Sequence, residues 1–334
     1  MSRTTVVLCF PVNDNQVNQI RTAAGPDVDV VWSDQEKIVD DIFKADIFCG
    51  HVKIHPVDWQ SVVEQGRLKW IQSSAAGLDH CLHPPVIESD DIVVSGCSGL
   101  FADQVAEQTL ALTFGLKRSL HTFFRAQQQR EFIRRPTDTL HGKTVGILGM
   151  GGNGHRLARV FRPIAGQIIG TDRFPEACDK IVSEGALDEI LPHTETNQVF
   201  ERSDVTIAVS PLSDETHQSI GEEQFALAGG KCFINIGRGS TVNQSDLETY
   251  LLRGHLAGVG LDVVDPEPLP ADSPLWEQKN VIITPHVGAQ SEHRVPRTVD
   301  FFCENLARYQ RGKPLLNRVD KRLGFPRPEH RIEF

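Results

Sequence analysis

The sequence predicts an α/β protein built on two parallel β-sheets. Short apolar runs recur along most of the chain, and they alternate with amphipathic stretches of helical periodicity. Parallel strands need long crossover connections, which are usually helices, so this alternation predicts doubly wound sheets. The length of 334 residues exceeds what one ordinary core accommodates, which favours two domains.

The first series of alternating elements extends from residue 4 to about residue 98. We predict strands over residues 5–10, 28–32, 47–49, 70–73 and 92–94, and helices over residues 15–24, 35–43 and 58–65. A strongly apolar helix over residues 107–119 follows, with Lys117 and Arg118 at its basic end.

The second series begins near residue 144 and continues to about residue 288. We predict strands over residues 144–148, 167–171, 205–209, 232–236, 258–261 and 281–284. Residues 292–309 then show helical periodicity. Because this stretch lies beyond the last strand of the series, we expect the helix to return to the first domain.

A glycine-rich turn separates the first strand of the second series from a helix. The turn is Gly149-Met150-Gly151-Gly152-Asn153-Gly154, a G-x-G-x-x-G pattern. The first glycine of such a turn allows the tight bend, the second lets N–H groups approach a pyrophosphate, and the third lets the helix pack closely on the strand. The segment therefore predicts a dinucleotide site.

The next strand ends at Asp172, where a carboxylate can accept hydrogen bonds from the hydroxyls of an adenosine ribose. A carboxylate also repels a 2′-phosphate, so Asp172 favours NAD over NADP. Arg173 beside it leaves room for use of both cofactors.

Composition and charge exclude several classes of protein. The chain has 40% hydrophobic and 23% charged residues, which is typical of a soluble globular protein. Its formal net charge of −10 argues against a general binder of nucleic acids or acidic membranes. We find neither a membrane-spanning run nor a signal-peptide core and expect a cytoplasmic protein. The seven scattered cysteines lack a C-x-x-C pair, so we predict buried, reduced thiols.

Three reactive side chains follow strand ends in the second series, namely Arg238, Glu267 and His286. Ligands of open parallel sheets bind outside the carboxyl ends of the strands. An arginine there can clamp a carboxylate, and histidine is the natural proton donor near neutral pH, with its tautomer fixed by a nearby carboxylate. Arg238 alone is as often a surface residue as a ligand-binding one, and Glu267 or His286 alone is more often structural than catalytic. Together at one sheet edge, they predict a catalytic site.

On these motifs the chain resembles the D-isomer-specific 2-hydroxyacid dehydrogenases, from the first strand to the C-terminal helix. The resemblance is carried by NIGRG from Asn235, LDVVDPEPLP around Glu267, TPHVG around His286 and QSSAAGLDH in the first series. The chain departs from the family at Asn153, often an aliphatic position, and at Asn243, often an aspartate. We expect Asn243 to cap the next helix.

The resemblance implies NAD(H)-dependent interconversion of a 2-oxo acid and a D-2-hydroxy acid. It assigns acid–base chemistry to His286, support of that histidine to Glu267, and binding of the substrate carboxylate and carbonyl to Arg238. The backbone N–H groups of Ala76 and Gly77 would also hold the carboxylate. The implied cofactor-binding residues are Gly149, Gly151, Gly152, Asn153, Gly154, Asp172, Ser210, Ile236, Gly237, Asp262 (facing the nicotinamide carboxamide) and Gly288.

The resemblance also implies the domain organisation. A Rossmann NAD-binding domain, residues 104–288, would be inserted into a flavodoxin-like substrate domain formed by residues 1–103 and 289–334. Hinges are expected near residues 102–104 and 288–292, and a homodimer built on the nucleotide domains is expected.

Other functions stay open on the sequence. A phosphite dehydrogenase on the same scaffold fits the three catalytic positions, whereas formate enzymes carry glutamine in place of Glu267. An NAD-sensing co-regulator could retain all three residues, although the short chain ends favour a metabolic enzyme. His51 and His55 have a metal-ligand spacing, but their flanks are strand-like and the glutamate of a protease motif is missing, so no metal is expected.

Overall fold

The structure is a computed structural model that describes residues 3–332. Met1, Ser2, Glu333 and Phe334, to which the predicted domains extend, lie outside the described part. The chain divides into two compact units, one made of Met1–Phe101 and Ser291–Phe334 and the other of Ala102–Gln290. Within residues 3–332, no helix is long and apolar enough to cross a membrane.

The described residues of the first unit form a parallel sheet of five strands in the order β2-β1-β3-β4-β5. The strands are β1 (Thr4–Cys9), β2 (Val28–Trp32), β3 (Ile47–Gly50), β4 (Trp70–Ser73) and β5 (Val93–Ser95). The helices are α1 (Asp14–Ala24), α2 (Ile38–Asp41), α3 (Trp59–Gln65), α4 (Pro84–Glu88) and, near the end of the chain, α12 (Arg294–Gln310).

The C-terminal helix α12 contributes directly to the core of the first unit. Its buried side chains Val299, Phe302 and Leu306 belong to one apolar cluster with Val6 and Leu8 of β1. The cluster also contains Trp70 of β4, whose ring centroid lies 5.4 Å from that of Phe302. Burial of such large side chains, at roughly 1.5–3 kcal/mol each, ties the end of the chain to the first sheet.

The second unit contains a parallel sheet of seven strands in the order β12-β11-β10-β9-β6-β7-β8. The strands are β6 (Thr144–Leu148), β7 (Gln167–Asp172), β8 (Glu189–Pro192), β9 (Val205–Ala208), β10 (Cys232–Asn235), β11 (Gly258–Leu261) and β12 (Val281–Ile283). The helices are α5 (Ala102–Lys117), α6 (Leu120–Gln128), α7 (Gly152–Phe161), α8 (Asp179–Ser183), α9 (Thr196–Arg202), α10 (Glu222–Leu227) and α11 (Gln244–Leu252).

The strand order of this sheet reverses between β6 and β9, and the crevice at such a switch point is where doubly wound sheets bind ligands. The predicted fold class, α/β with two parallel sheets, is confirmed. A separate two-stranded antiparallel sheet, formed by β13 (Val319–Asp320) and β14 (Phe325–Pro326), lies near the C-terminus.

Some predicted elements differ from those observed. Helix α2 is shorter than predicted because the Asp34 side chain accepts the N–H groups of Glu36 and Lys37 and so forms a turn ahead of it. Helix α5 begins at Ala102 rather than at residue 107. Strand β8 was missed because it is a half-buried edge strand, which does not need a continuous apolar run.

The predicted burial of the cysteines is confirmed for six of the seven, and Cys303 is partly buried. The cap predicted at Asn243 is also present, because its side chain accepts the N–H of Asp246 at 3.3 Å at the start of α11.

Candidate active site

The glycine-rich turn joins β6 to the N-terminus of α7, and each glycine has a different environment. Gly149 has φ +100°, and a Cβ there would lie 2.9 Å from the backbone of Ser210. A Cβ on Gly154 would lie 2.2 Å from the carbonyl oxygen of Gly149, whereas one on Gly151 would meet nothing within 4 Å. The first and third glycines therefore close the turn, and the open backbone at Gly151, at a helix N-terminus, fits a pyrophosphate.

Asp172 lies at the end of β7, beside this turn, and is 7% exposed. One carboxylate oxygen accepts the N–H of Met150 at 2.8 Å, and the other accepts the N–H of Phe174 at 2.8 Å. The carboxylate thus holds the glycine-rich turn and the chain after β7 together. The neighbouring Arg173 forms an ion pair with Glu215, whose carboxylate also lies 3.5 Å from the Nε2 of His193.

Arg238 follows β10 on a loop that Asn235 fixes. The buried Asn235 side chain donates to the carbonyl of Arg238 at 2.9 Å and accepts the N–H of Gly237 at 3.1 Å. The hydroxyl of Thr241 donates to the same Arg238 carbonyl at 2.7 Å, and the guanidinium donates to the Gly237 carbonyl at 2.7 Å. These bonds define the backbone from which the arginine side chain projects.

The loop of Arg238 packs against the loop that carries Glu267. A Cβ on Gly239 would lie 1.8 Å from the carbonyl oxygen of Val264, a distance that no side chain can adopt. The N–H of Val264 in turn donates to a Glu267 carboxylate oxygen at 3.2 Å. The absence of a side chain at residue 239 therefore allows the loops of Arg238 and Glu267 to pack in contact.

His286 and Glu267 form the central pair of the site. The Nδ1 of His286 lies 2.9 Å from a Glu267 carboxylate oxygen, and both side chains are partly exposed. Burial of Glu267 disfavours its charge, but the hydrogen bond and the charge of His286, helped by the Val264 N–H and Arg238, outweigh this effect and lower the pKa of Glu267. An ionised carboxylate only accepts, so it selects the His286 tautomer protonated at Nδ1.

Asp262 clasps the loop of His286. Its carboxylate is 2% exposed and accepts the hydroxyl of Thr284 at 2.6 Å and the N–H groups of Val287 and Gly288 at 3.0 and 2.8 Å. The Asp262 carbonyl accepts the N–H of His286 at 2.8 Å. His286 has φ 55°, a left-handed conformation that is unfavourable for a side chain other than glycine, so this network holds a conformation the chain alone would not keep.

The loop predicted to bind the substrate carboxylate follows β4 in the first unit. The N–H of Ser74 donates to the carbonyl of Gly50 at 3.0 Å, and the carbonyl of Ala75 accepts the N–H of Cys97 at 3.0 Å. Ala76 is exposed and Gly77 partly so. Within residues 3–332, no acceptor takes the N–H of Ala76 or Gly77, which leaves two adjacent donors for a ligand.

In the second unit, the predicted residues Arg238, Glu267, His286 and Asp262 thus lie on loops that contact one another. The predicted pair Ala76 and Gly77 belongs to the first unit. Sequence reasoning missed Gly239, Thr284 and Gln108, whose side-chain N–H group donates to the Thr284 hydroxyl at 2.9 Å. In the part of the chain that the structure describes, no group of three or more His, Cys, Asp or Glu side chains could hold a metal.

Comparisons with known proteins identify the family. The chain matches the family model "D-isomer specific 2-hydroxyacid dehydrogenase, NAD binding domain" over residues 110–288. It is 31% identical to the human glyoxylate reductase/hydroxypyruvate reductase over 74% of this chain and 76% of that protein. It is 28% identical to the glyoxylate reductase of Korarchaeum cryptofilum over 82% of each chain.

Solved structures agree with this assignment. A D-isomer specific 2-hydroxyacid dehydrogenase from Xanthobacter autotrophicus, solved with NADPH and MES, is similar at 26% identity and a TM-score of 0.78. The match covers 97% of this chain and all of that one. The chain therefore belongs to the D-isomer specific 2-hydroxyacid dehydrogenase family and is an oxidoreductase that uses a nicotinamide cofactor.

Proposed function

We propose that the protein interconverts a short 2-oxo acid and its D-2-hydroxy acid with NAD(H). The observation that carries this proposal is the 2.9 Å hydrogen bond between His286 and Glu267, on loops that also meet the loop of Arg238. A histidine, a supporting carboxylate and an arginine are the groups needed to move a proton on and off a carbonyl oxygen beside a carboxylate.

His286 is the acid–base residue of the proposed reaction. Because its Nδ1–H donates to Glu267, its Nε2 is the atom that exchanges a proton with the substrate oxygen. During reduction His286 donates this proton to the developing alkoxide, and during oxidation the neutral ring removes the hydroxyl proton. Glu267 stabilises the imidazolium form. When bound, the nicotinamide supplies or accepts the hydride.

Arg238 and the loop of Ala76 and Gly77 bind the substrate. The guanidinium of Arg238 can pair with the substrate carboxylate and polarise the carbonyl to be reduced. The N–H groups of Ala76 and Gly77 are suited to the carboxylate because no side chain at Gly77 hinders a close approach.

Glyoxylate and hydroxypyruvate are the proposed substrates. The human and archaeal relatives carry these activities in their names, and the chain aligns with most of their length. Their small size suits recognition by the carboxylate and carbonyl alone.

NAD is the proposed cofactor because two carboxylates stand near the end of β7. Asp172 ends the strand, and Glu215 pairs with Arg173, the cation that could otherwise attract a 2′-phosphate. The relative from Xanthobacter autotrophicus was solved with NADPH, so measurement of both cofactors is essential.

A cytoplasmic homodimer built on the nucleotide domains completes the proposal. Large apolar side chains are exposed on and after α6, namely Leu120, Phe124, Phe132 and Ile133, and Phe132 is 94% exposed. A second copy could cover them. Light scattering of the purified protein decides between a monomer and a dimer.

The proposed function is tested by NADH oxidation with glyoxylate, hydroxypyruvate, pyruvate and phenylpyruvate, using wild type and His286→Ala. We expect turnover of a short 2-oxo acid and a loss of kcat on the order of 10²–10⁴-fold in the variant. NADH affinity, measured by fluorescence titration, should be unchanged. Near-normal turnover by His286→Ala contradicts the catalytic assignment, and tight NADH binding without turnover of any 2-oxo acid favours a sensor or a phosphite dehydrogenase.

A further inference from the structure

Ser73, the last residue of β4, is the centre of a hydrogen-bond network beneath the loop of Ala76 and Gly77. Its buried hydroxyl oxygen lies 3.1 Å from the N of Ala75, 3.2 Å from the carbonyl oxygen of Gly77 and 3.0 Å from the Nε2 of His80. One hydroxyl therefore contacts Ala75 and Gly77, which flank Ala76 in the loop, and the side chain of His80, which follows them.

The hydrogens of this network can be assigned from the donors and acceptors. The Ala75 N–H must donate to Ser73, and the Gly77 carbonyl can only accept from it. Ser73 has one hydroxyl hydrogen, which it can donate either to the Gly77 carbonyl or to the Nε2 of His80. It donates to Gly77 only if His80 donates its own Nε2–H to the Ser73 oxygen. In this arrangement every polar group that contacts the Ser73 hydroxyl is paired.

The surroundings of His80 favour the same arrangement. Burial, with smaller contributions from His51 and His83, keeps the pKa of His80 well below its usual range, so the ring is neutral and has one N–H. The ring lies against that of His51, with centroids 4.1 Å apart, and the His80 carbonyl accepts the indole N–H of Trp59 at 3.2 Å. The other ring nitrogen, Nδ1, is enclosed and has no hydrogen-bond partner among the described residues, as suits an unprotonated nitrogen.

We propose that Ser73 and His80 are positioning residues that present the N–H groups of Ala76 and Gly77 to the substrate carboxylate. The inference rests on the proposed function, which assigns substrate binding to this loop. Ser73 removes the Ala75 N–H from the set of available donors and holds the Gly77 carbonyl in a hydrogen bond. The N–H groups of Ala76 and Gly77 have no acceptor in the described part of the chain, so the loop need not rearrange when the carboxylate arrives, which is the advantage of a preorganised site.

The test compares Ser73→Ala and His80→Leu with two matched variants. His80→Gln keeps an N–H donor close to the position of the Nε2 of His80, and His83→Leu makes the same apolar change at an exposed histidine three residues along the chain. For Ser73→Ala and His80→Leu, we expect the KM of the 2-oxo acid to rise about tenfold, as for loss of one hydrogen bond. The value of kcat should stay within about threefold and NADH affinity should be unchanged.

Further outcomes separate this inference from its alternatives. His80→Gln should recover most of the KM, and His83→Leu should match wild type. An unchanged KM in Ser73→Ala and His80→Leu overturns the inference while the proposed function stands. A parallel loss of kcat, NADH affinity and thermal stability also overturns it, because the pair would then be purely structural. If wild-type protein reduces no 2-oxo acid, the proposed function itself fails and the inference with it.

Discussion

The clasp around Asp262 allows a prediction whose magnitude can be worked from its contacts. Asp262→Asn keeps the size of the side chain but replaces one carboxylate oxygen by an NH2 group. In the structure, one oxygen accepts from both Thr284 and Val287, and the other accepts from Gly288. An asparagine can retain the first pair of bonds only by turning its NH2 group toward the N–H of Gly288.

The expected cost follows from these three bonds. Hydrogen bonds to a charged acceptor contribute about 1.5–3 kcal/mol each, and neutral ones about 0.5–1.5 kcal/mol. The variant loses the Gly288 bond, weakens the other two and leaves two donors facing each other at a site that is 2% exposed. We expect a destabilisation of about 4 kcal/mol, which lowers the Tm of the cofactor-free protein by roughly 8–16 °C.

The assay is thermal and urea unfolding of the protein without cofactor, followed by kinetics. Thr284→Val is the matched control, because it removes one donor to the same carboxylate and should destabilise by about 1.5–2 kcal/mol. Both variants should lower kcat by releasing the loop of His286. An Asp262→Asn protein with wild-type unfolding would refute the clasp. If the variants lose only NADH affinity, the role of Asp262 is confined to the predicted contact with the nicotinamide.

Three further variants test other parts of the site. Gly239→Ala should lower kcat/KM on the order of 10²-fold by driving the Arg238 loop from the Glu267 loop, and steady-state kinetics showing less than a twofold loss would contradict the close packing. Glu267→Gln should be less stable than wild type near neutral pH and equally stable in acid. Folding lowers the pKa of Glu267, so its ionised form stabilises the wild type above the usual glutamate pKa of about 4.3. This contribution disappears as the pH falls further. Urea unfolding of both proteins across pH 3–7 measures it, and a constant difference would count against the ion pair. Glu215→Gln should raise NADPH affinity relative to NADH in fluorescence titrations, and an unchanged ratio would exclude a role for Glu215 in cofactor choice.

The elements of the fold that could be predicted from the sequence are those whose burial produces a recognisable pattern of apolar residues. Strands such as β6 and β9 are enclosed on both faces of a parallel sheet, so they appear as nearly continuous apolar runs. Strand β8 lies at the edge and is only partly buried, so it leaves no such run. The start of α2 was predicted too early for a different reason, because the side-chain bonds of Asp34 compete with the helix and are not visible as a periodic pattern.

The candidate site shows a similar division. Reactive side chains at strand ends, such as Arg238 and His286, can be found from position and residue type. The role of Gly239, the last residue of the NIGRG motif, could not be found in this way, since its requirement comes from the approach of Val264, a residue distant in sequence. Thr284 and Gln108 could not be found either, because a threonine or glutamine acquires this role only when tertiary structure brings its partner within hydrogen-bond distance.

Cofactor preference illustrates how a contact changes the meaning of a residue. The sequence places a carboxylate, Asp172, and a cation, Arg173, side by side, and these have opposite effects on a 2′-phosphate. In the structure, Arg173 pairs with Glu215, so a carboxylate from another loop offsets the charge of its guanidinium. Asp172, Arg173 and Glu215 together carry a net negative charge, which opposes a phosphate more than Asp172 and Arg173 would alone. If this balance sets the preference, neutralising Glu215 shifts it toward NADPH without altering the hydrogen bonds by which Asp172 holds the glycine-rich turn.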